Sequence, residues 1–123
     1  MTYIRHWRTI RAGIVIVETP IFTRQVLALL SDDEYRRLQA ALVNRPLTGS
    51  VIKGSGGLRK MRWGIEGRGK RGGVRVIYYW AAAHQRLLML VIYSKSERDD
   101  LRPAQLKALR TTISEAVFEG PAV

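Results

Sequence analysis

The chain has 123 residues, 46% of them apolar and 25% charged, a balance that suits one folded domain and rules out a disordered or fibrous polymer. It contains no cysteine, which removes disulfides and thiolate chemistry, and no apolar run approaches the roughly 20 residues of a membrane helix. Lysine and arginine number 21 against 10 acidic residues, and the net charge of +11 points to an anionic partner.

Residues 1–12, "MTYIRHWRTIRA", form a basic leader to which the sequence assigns no role. The leader has no continuous apolar centre and so does not read as a secretory signal, which makes the cytoplasm the economical location. "IVIV" at 14–17 predicts a strand buried on both faces. Thr19 followed by Pro20 is a helix start, with Phe22, Val26, Leu29 and Leu30 on one face. "SDDE" at 31–34 is a capping box that opens a second helix, striped by Tyr35, Leu38 and Leu42 and stopped at "NRP". The two are expected to form a helical hairpin.

A glycine-rich loop over 47–57 precedes "LRKMRW", 58–63. As a strand, that stretch turns Arg59, Met61 and Trp63 to one face and Leu58, Lys60 and Arg62 to the other, which sets two cations side by side. "GRGKRGG" at 67–73 satisfies the letter of a dinucleotide fingerprint, yet "VRVIYYW" at 74–80 follows it as a strand where the fingerprint needs a helix. It reads instead as a basic hairpin connection carrying Arg68, Lys70 and Arg71. "RLLMLVIY" at 86–93 predicts a central strand, and Pro103, Leu106, Leu109, Ile113 and Val117 a last helix. No linker or repeat divides the chain, so residues 1–123 are expected to be one domain. The order predicts an α+β fold: a small, twisted, mainly antiparallel sheet, an N-terminal helical hairpin packed on one face, and a C-terminal helix.

Position sharpens the charge argument, because residues 53–75 alone carry +7 while 14–52 are neutral. His6 and His84 are the only histidines, no metal-ligand cluster exists, and neither a nucleophile elbow nor a Walker A loop is present, so no metal or cofactor is expected. A basic groove interleaved with aromatics suits RNA, whose phosphates take Lys and Arg and whose bases stack on rings. Trp63, Tyr78, Tyr79, Trp80 and Tyr93 lie on the strands near the basic segment, most of them as sheet-face or core residues.

"VETPIFTRQVLALLSDDEYRRLQAAL", "VIKGSGGLRKMRW", "GRGKRGGVRVIYYW" and "IYSKSERDDL" together resemble the RelE/ParE toxin superfamily in its HigB-like branch. The resemblance runs from about residue 14 to the C-terminal helix, and no single piece would suffice for it. It implies a RelE-like fold, a toxin of a type II toxin–antitoxin module, and a metal-independent endoribonuclease that cuts mRNA on the ribosome and so inhibits translation. It also implies a cognate antitoxin of the helix-turn-helix, HigA-like kind, with operator DNA bound only through that partner and no membrane involved. Lys60, Arg62, Arg75 and Lys95 match the family's site cations, and Tyr93 matches a base-stacking or proton-transfer position. One departure stands out: residues 96–123 contain no tyrosine, where some members carry a catalytic one, which leaves the general acid unassigned.

Attack by a 2′-hydroxyl needs a base, charge stabilisation on the phosphorane and a proton for the leaving oxygen. Crowding by Arg62, Arg75 and Lys95 favours the neutral amine of Lys60, which suits it as base, while Arg62 and Arg75 clamp the phosphate and Lys95 acts as clamp or acid. Lys53, Arg59, Arg68, Lys70 and Arg71 are the expected phosphate contacts outside the chemistry. Two alternatives stay open: a non-catalytic RNA- or ribosome-binding module, and a ParE-like gyrase poison that needs no nuclease cations.

Overall fold

The computed structural model describes residues 8–65, 69–94 and 101–118, with side chains at 10–65, 73–94 and 101–113. The first element is a hairpin of β1 (Arg8–Arg11) and β2 (Ile14–Glu18), turned by Ala12 and Gly13 at φ 50° and 82°. Two successive left-handed residues are what a tight antiparallel turn needs. Helix α1 (Pro20–Leu29) begins where the Thr19 hydroxyl accepts from the Phe22 N–H at 3.0 Å, and α2 (Asp32–Asn44) begins on a complete capping box between Ser31 and Glu34. A short β3 (Ser50–Val51) follows, then β4 (Arg59–Ile65), β5 (Gly69–Ala81), a 3-10 turn and β6 (Arg86–Ser94). Helix α3 (Pro103–Phe118) is the last element.

The strands form one six-stranded sheet in the order β1-β2-β6-β5-β4-β3, antiparallel throughout except for the parallel pair β2–β6 near its centre. This overturns the expected arrangement. The sheet is mixed, two strands precede every helix so that no helical hairpin stands at the N-terminus, and α3 is a single helix across the opposite face. Part of the leader, Arg8–Arg11, is an edge strand, which short polar composition hides from any alternation test. The parallel pair is equally hidden, because "IVIV" says that a strand is buried on both faces and not which strand lies beside it.

One core packs Phe22, Val26, Leu38 and Leu42 of the first two helices on Ile16, Val76, Tyr78, Leu87 and Met89; the other packs Ile113 of α3 on Val17, Leu58, Ile77, Leu88 and Leu90. The continuous apolar run of β6 therefore serves both faces. Beyond the end of β2 the edge of β6 is covered by α1: the Thr19 hydroxyl donates to the Leu90 carbonyl at 2.8 Å, and the Gln25 side-chain oxygen accepts from the Ile92 N–H at 3.3 Å. Backbone groups that a strand would have paired are thereby satisfied.

Strand alternation breaks at one place that matters. Ile77 pairs with Val91 and Tyr78 with Met89, so Leu90 is an extra residue in β6. Before it, Leu87 and Met89 face the first core; after it, Ile92 does, which turns Tyr93 to the face that bears α3. The "GRGKRGG" loop is also shorter than expected, since β5 starts at Gly69. Between the Trp63–Val74 and Ile65–Gly69 pairs, β4 advances by two residues and β5 by five, an irregularity that a glycine-rich run accommodates.

Candidate functional site

The expected alternation of residues 58–63 holds: Met61 and Trp63 pack against the first core, while Leu58 belongs to the second. Lys60 and Arg62 accordingly lie on the α3 face. Cross-strand register sets Arg62 opposite Arg75 and Arg75 opposite Tyr93, with Lys60 opposite Ile77 in the adjacent row. Directly opposed residues share a face, and diagonal neighbours stand about 7–8 Å apart, so Lys60, Arg62, Arg75 and Tyr93 form one contiguous group. Their exposures differ. Arg62 is exposed and Lys60 half-buried, whereas Arg75 and Tyr93 retain 6% and 2% of their accessible surface.

Arg75 is the unusual member. Its Nη1 is buried without a hydrogen-bond partner, and the residue directly opposite on β4 is a second arginine. Like charges opposed across a sheet repel, and a buried guanidinium nitrogen without an acceptor carries a desolvation cost. An anion between the two side chains would offset both. Beside this pair opens a cavity of about 380 Å³, lined by Lys53, Lys60, Ile77, Tyr93 and, from the α3 side, Leu101 and Leu106. Lys53 is presented by a tight loop in which the Ser55 hydroxyl accepts from the Leu58 N–H at 3.0 Å and donates to the Ile52 carbonyl at 2.6 Å. Two lysines thus line a partly apolar cavity.

Arg59 does something else. It lies on the opposite face and donates to the carbonyls of Leu47 and Gly49 at 3.3 and 2.7 Å, so it clamps the loop after α2. Tyr78 holds the same loop from within: its hydroxyl donates to the Pro46 carbonyl at 2.7 Å and accepts from the Gly49 N–H at 2.9 Å. Burial pushes the Tyr78 hydroxyl above its ordinary range, partly offset by the Gly49 bond and the Arg59 charge. Gly49 must be glycine-small here, because an added Cβ would stand 2.9 Å from the Tyr78 ring and 3.0 Å from the Lys60 carbonyl. The loop is thereby pressed against the strand that carries Lys60.

Of the remaining expected residues, Arg68 and Lys95 lie outside the described residues, and Lys70 and Arg71 belong to β5 with side chains outside them. Trp63 and Trp80 pack against the first core and Tyr78 lies within it, while Tyr79 and Tyr93 belong to the α3 face. A base could stack on Tyr93 only after its cover moves. His84 is exposed in the 3-10 turn, and among the described residues no group of three or more His, Cys, Asp or Glu could hold a metal.

Sequence reasoning missed a buried polar group on the other side. Glu18, 6% exposed, accepts from the Thr23 hydroxyl at 2.7 Å and from the Tyr35 hydroxyl at 2.5 Å, tying β2 to both early helices. Burial, then the charge of Glu18 and its hydrogen bond, push the Tyr35 hydroxyl far above the ordinary tyrosine range, against a smaller opposing effect of Gln39. A lone glutamate ending an apolar strand was the available signal. No protein-family model matches the chain. No helix among the described residues is long and apolar enough to cross a membrane.

Proposed function

We propose that the protein is the toxin of a type II toxin–antitoxin module, of the RelE/ParE superfamily and its HigB-like branch, and that it cuts mRNA on the translating ribosome without a metal. Its place of action is the cytoplasm, and its neutralising partner is a helix-turn-helix antitoxin through which alone it meets operator DNA. The reading rests on the four quoted sequence segments and on the clustering of the site cations; the N-terminal arrangement contributes nothing to it.

The observation that carries it is the opposed pair Arg62 and Arg75, the latter buried with an unpartnered Nη1, next to Lys60 and the cavity it lines. Such an arrangement costs folding free energy and is relieved by a phosphate. In the reaction, Lys60 takes the proton of the 2′-hydroxyl, and that oxygen attacks the adjacent phosphorus. Arg62 and Arg75 hold the non-bridging oxygens as their charge grows. The 5′-oxygen then leaves with a proton from Lys95 or from water, giving a 2′,3′-cyclic phosphate and a new 5′-hydroxyl.

A specific observation favours the non-catalytic RNA-binding reading as the alternative: Tyr93, the one aromatic among the site residues, is 2% exposed and so is unavailable as acid or stacking platform while covered. One experiment separates them. Transcript 5′ ends are sequenced shortly after induction of the wild type, Lys60→Ala and Arg75→Ala. New ends in phase with codons, absent from both variants, are expected. Tight, salt-dependent RNA binding without new ends would replace the nuclease with a binding module, and inhibition of DNA supercoiling instead of translation would point to a gyrase poison.

A further inference from the structure

We infer that Lys53 grips the RNA strand one phosphate upstream of the bond that is cut, and that the cavity it shares with Lys60 seats the nucleotide whose 2′-hydroxyl attacks. The assignment rests on the function proposed above and begins with order along the sheet. Arg62 and Lys60 follow one another on the α3 face of β4, and Ser50 stands opposite Lys60. The Ile52 N–H then donates to the Leu58 carbonyl at 2.8 Å, and Lys53 comes next in the chain. Lys60 therefore stands between the Arg62–Arg75 pair and Lys53. A general base must lie beside the oxygen it deprotonates, and that oxygen belongs to the nucleotide on the 5′ side of the scissile phosphate. With the scissile phosphate on the arginines, this nucleotide extends towards Lys53, which meets the phosphate at its 5′ end.

Lys53 is exposed, yet the loop that carries it is fixed on two sides. Ser55, only 4% exposed, donates its N–H to the Ile52 carbonyl at 3.1 Å and uses its hydroxyl to join that carbonyl to the Leu58 N–H. Gly56 and Gly57 follow at φ 77° and 108°, in the region that favours glycine. From the other side, a Cβ on Gly56 would collide with the Arg110 guanidinium of α3, and one on Gly57 would stand 3.0 Å from the Tyr79 ring. A cation on so constrained a loop gives up little backbone freedom when it takes a ligand.

The cavity suits a single nucleotide. Its volume of about 380 Å³ falls in the range of small-ligand sites, roughly 300–1,000 Å³. Val51, Ile52, Ile77, Leu101 and Leu106 give it an apolar wall that can bury a base without reading its hydrogen-bonding edge. Arginine pair, apolar wall and lysine thus match phosphate, base and phosphate along a strand. Lys53 takes no part in the bond changes; by holding the far end of the attacking nucleotide it keeps the 2′-oxygen beside Lys60.

The test titrates the full chain in a calorimeter with adenosine 3′,5′-bisphosphate, adenosine 3′-phosphate and 1-deoxyribose 3,5-bisphosphate, which lacks the base. The first should bind about five- to tenfold tighter than the second, through the phosphate at Lys53, and about tenfold tighter than the third, through the wall. In Lys53→Ala the advantage of the bisphosphate over adenosine 3′-phosphate should fall below about twofold, with adenosine 3′-phosphate itself bound as before, and Lys53→Arg should restore it. Arg45→Ala removes an equal charge at an exposed position after α2, on the other side of the sheet, and should leave the advantage intact. Equal binding of the bisphosphate and the 3′-phosphate by the wild type, or equal losses in Lys53→Ala and Arg45→Ala, would overturn the assignment. Equal binding with and without the base would remove the nucleotide from the cavity, and a glutamate hexapeptide that competes as well as the bisphosphate would make it a carboxylate site. Cleavage of mRNA, read from new 5′ ends, should fall about fivefold or more in Lys53→Ala and recover in Lys53→Arg. Cleavage unchanged in Lys53→Ala, with the bisphosphate advantage lost, would make this a site for free nucleotides and not for the strand. A wild type that cleaves no RNA but shows the Lys53-dependent advantage refutes the nuclease alone; cleavage without that advantage refutes the role of Lys53 alone.

Discussion

Replacing Arg75 by methionine should make the protein more stable and inactive at once. The side chain is 6% exposed, its Nη1 has no acceptor, and Arg62 stands directly opposite. Methionine retains the aliphatic stem and its packing against the second core while removing the charge and the unsatisfied donor. Exchanging a poorly compensated buried ion for an apolar side chain of similar size stabilises by about 1–4 kcal/mol. For a chain of this length each kcal/mol moves the midpoint by roughly 4 °C, so Arg75→Met should melt roughly 4–16 °C higher. Phosphate supplies a second arm of the assay: at ten times its Kd it should stabilise the wild type by about 1.4 kcal/mol and leave the variant unmoved. Thermal and urea denaturation with and without phosphate, together with 5′-end mapping, measure all of this. A variant less stable than the wild type, or one stabilised equally by phosphate, would refute the anion-site argument.

Other outcomes follow from the same structure. Tyr78→Phe leaves the buried Gly49 N–H without its acceptor and removes the bond to the partly buried Pro46 carbonyl, and should cost about 1–3 kcal/mol in urea unfolding, with a slower cleavage rate because the loop no longer presses on β4. Gly49→Ala should cost about 1–3 kcal/mol, since its methyl group meets the Tyr78 ring and the Lys60 carbonyl; a neutral substitution would show that the loop is free to move. The hydroxyl of Tyr35 is raised in the folded state, so the neutral form is favoured there. Its contribution to stability is complete below the unfolded value of about 10 and falls as pH rises above it. Tyr35→Phe should therefore flatten the alkaline decline of stability, and phenolate absorbance should show Tyr35 ionising only as the wild type unfolds. Ser31→Ala removes one half of the capping box and should cost about 1 kcal/mol without touching RNA cleavage.

What the sequence determined by itself is local in origin. The caps at Thr19 and Ser31 act through hydrogen bonds within a single helical turn, and they open α1 and α2 at Pro20 and Asp32. Alternation fixed which side of β4 bears Lys60 and Arg62, because a strand has no freedom in that respect once formed. The same rule separated Arg59 from them, although grouping all cations of 53–75 together concealed it. Tertiary structure decided everything that depends on a neighbour distant in sequence. Arg8–Arg11 became a strand only because β2 offers it an edge, and β2 lies parallel to β6 through pairing that no local pattern encodes. The extra residue at Leu90 is tolerated because Thr19 supplies a donor for its carbonyl, 71 positions away, and Tyr93 shares a face with Arg75 as a result. Burial of Arg75 beside a like charge is likewise a property of the assembled sheet, since Arg62 is brought opposite it from another strand.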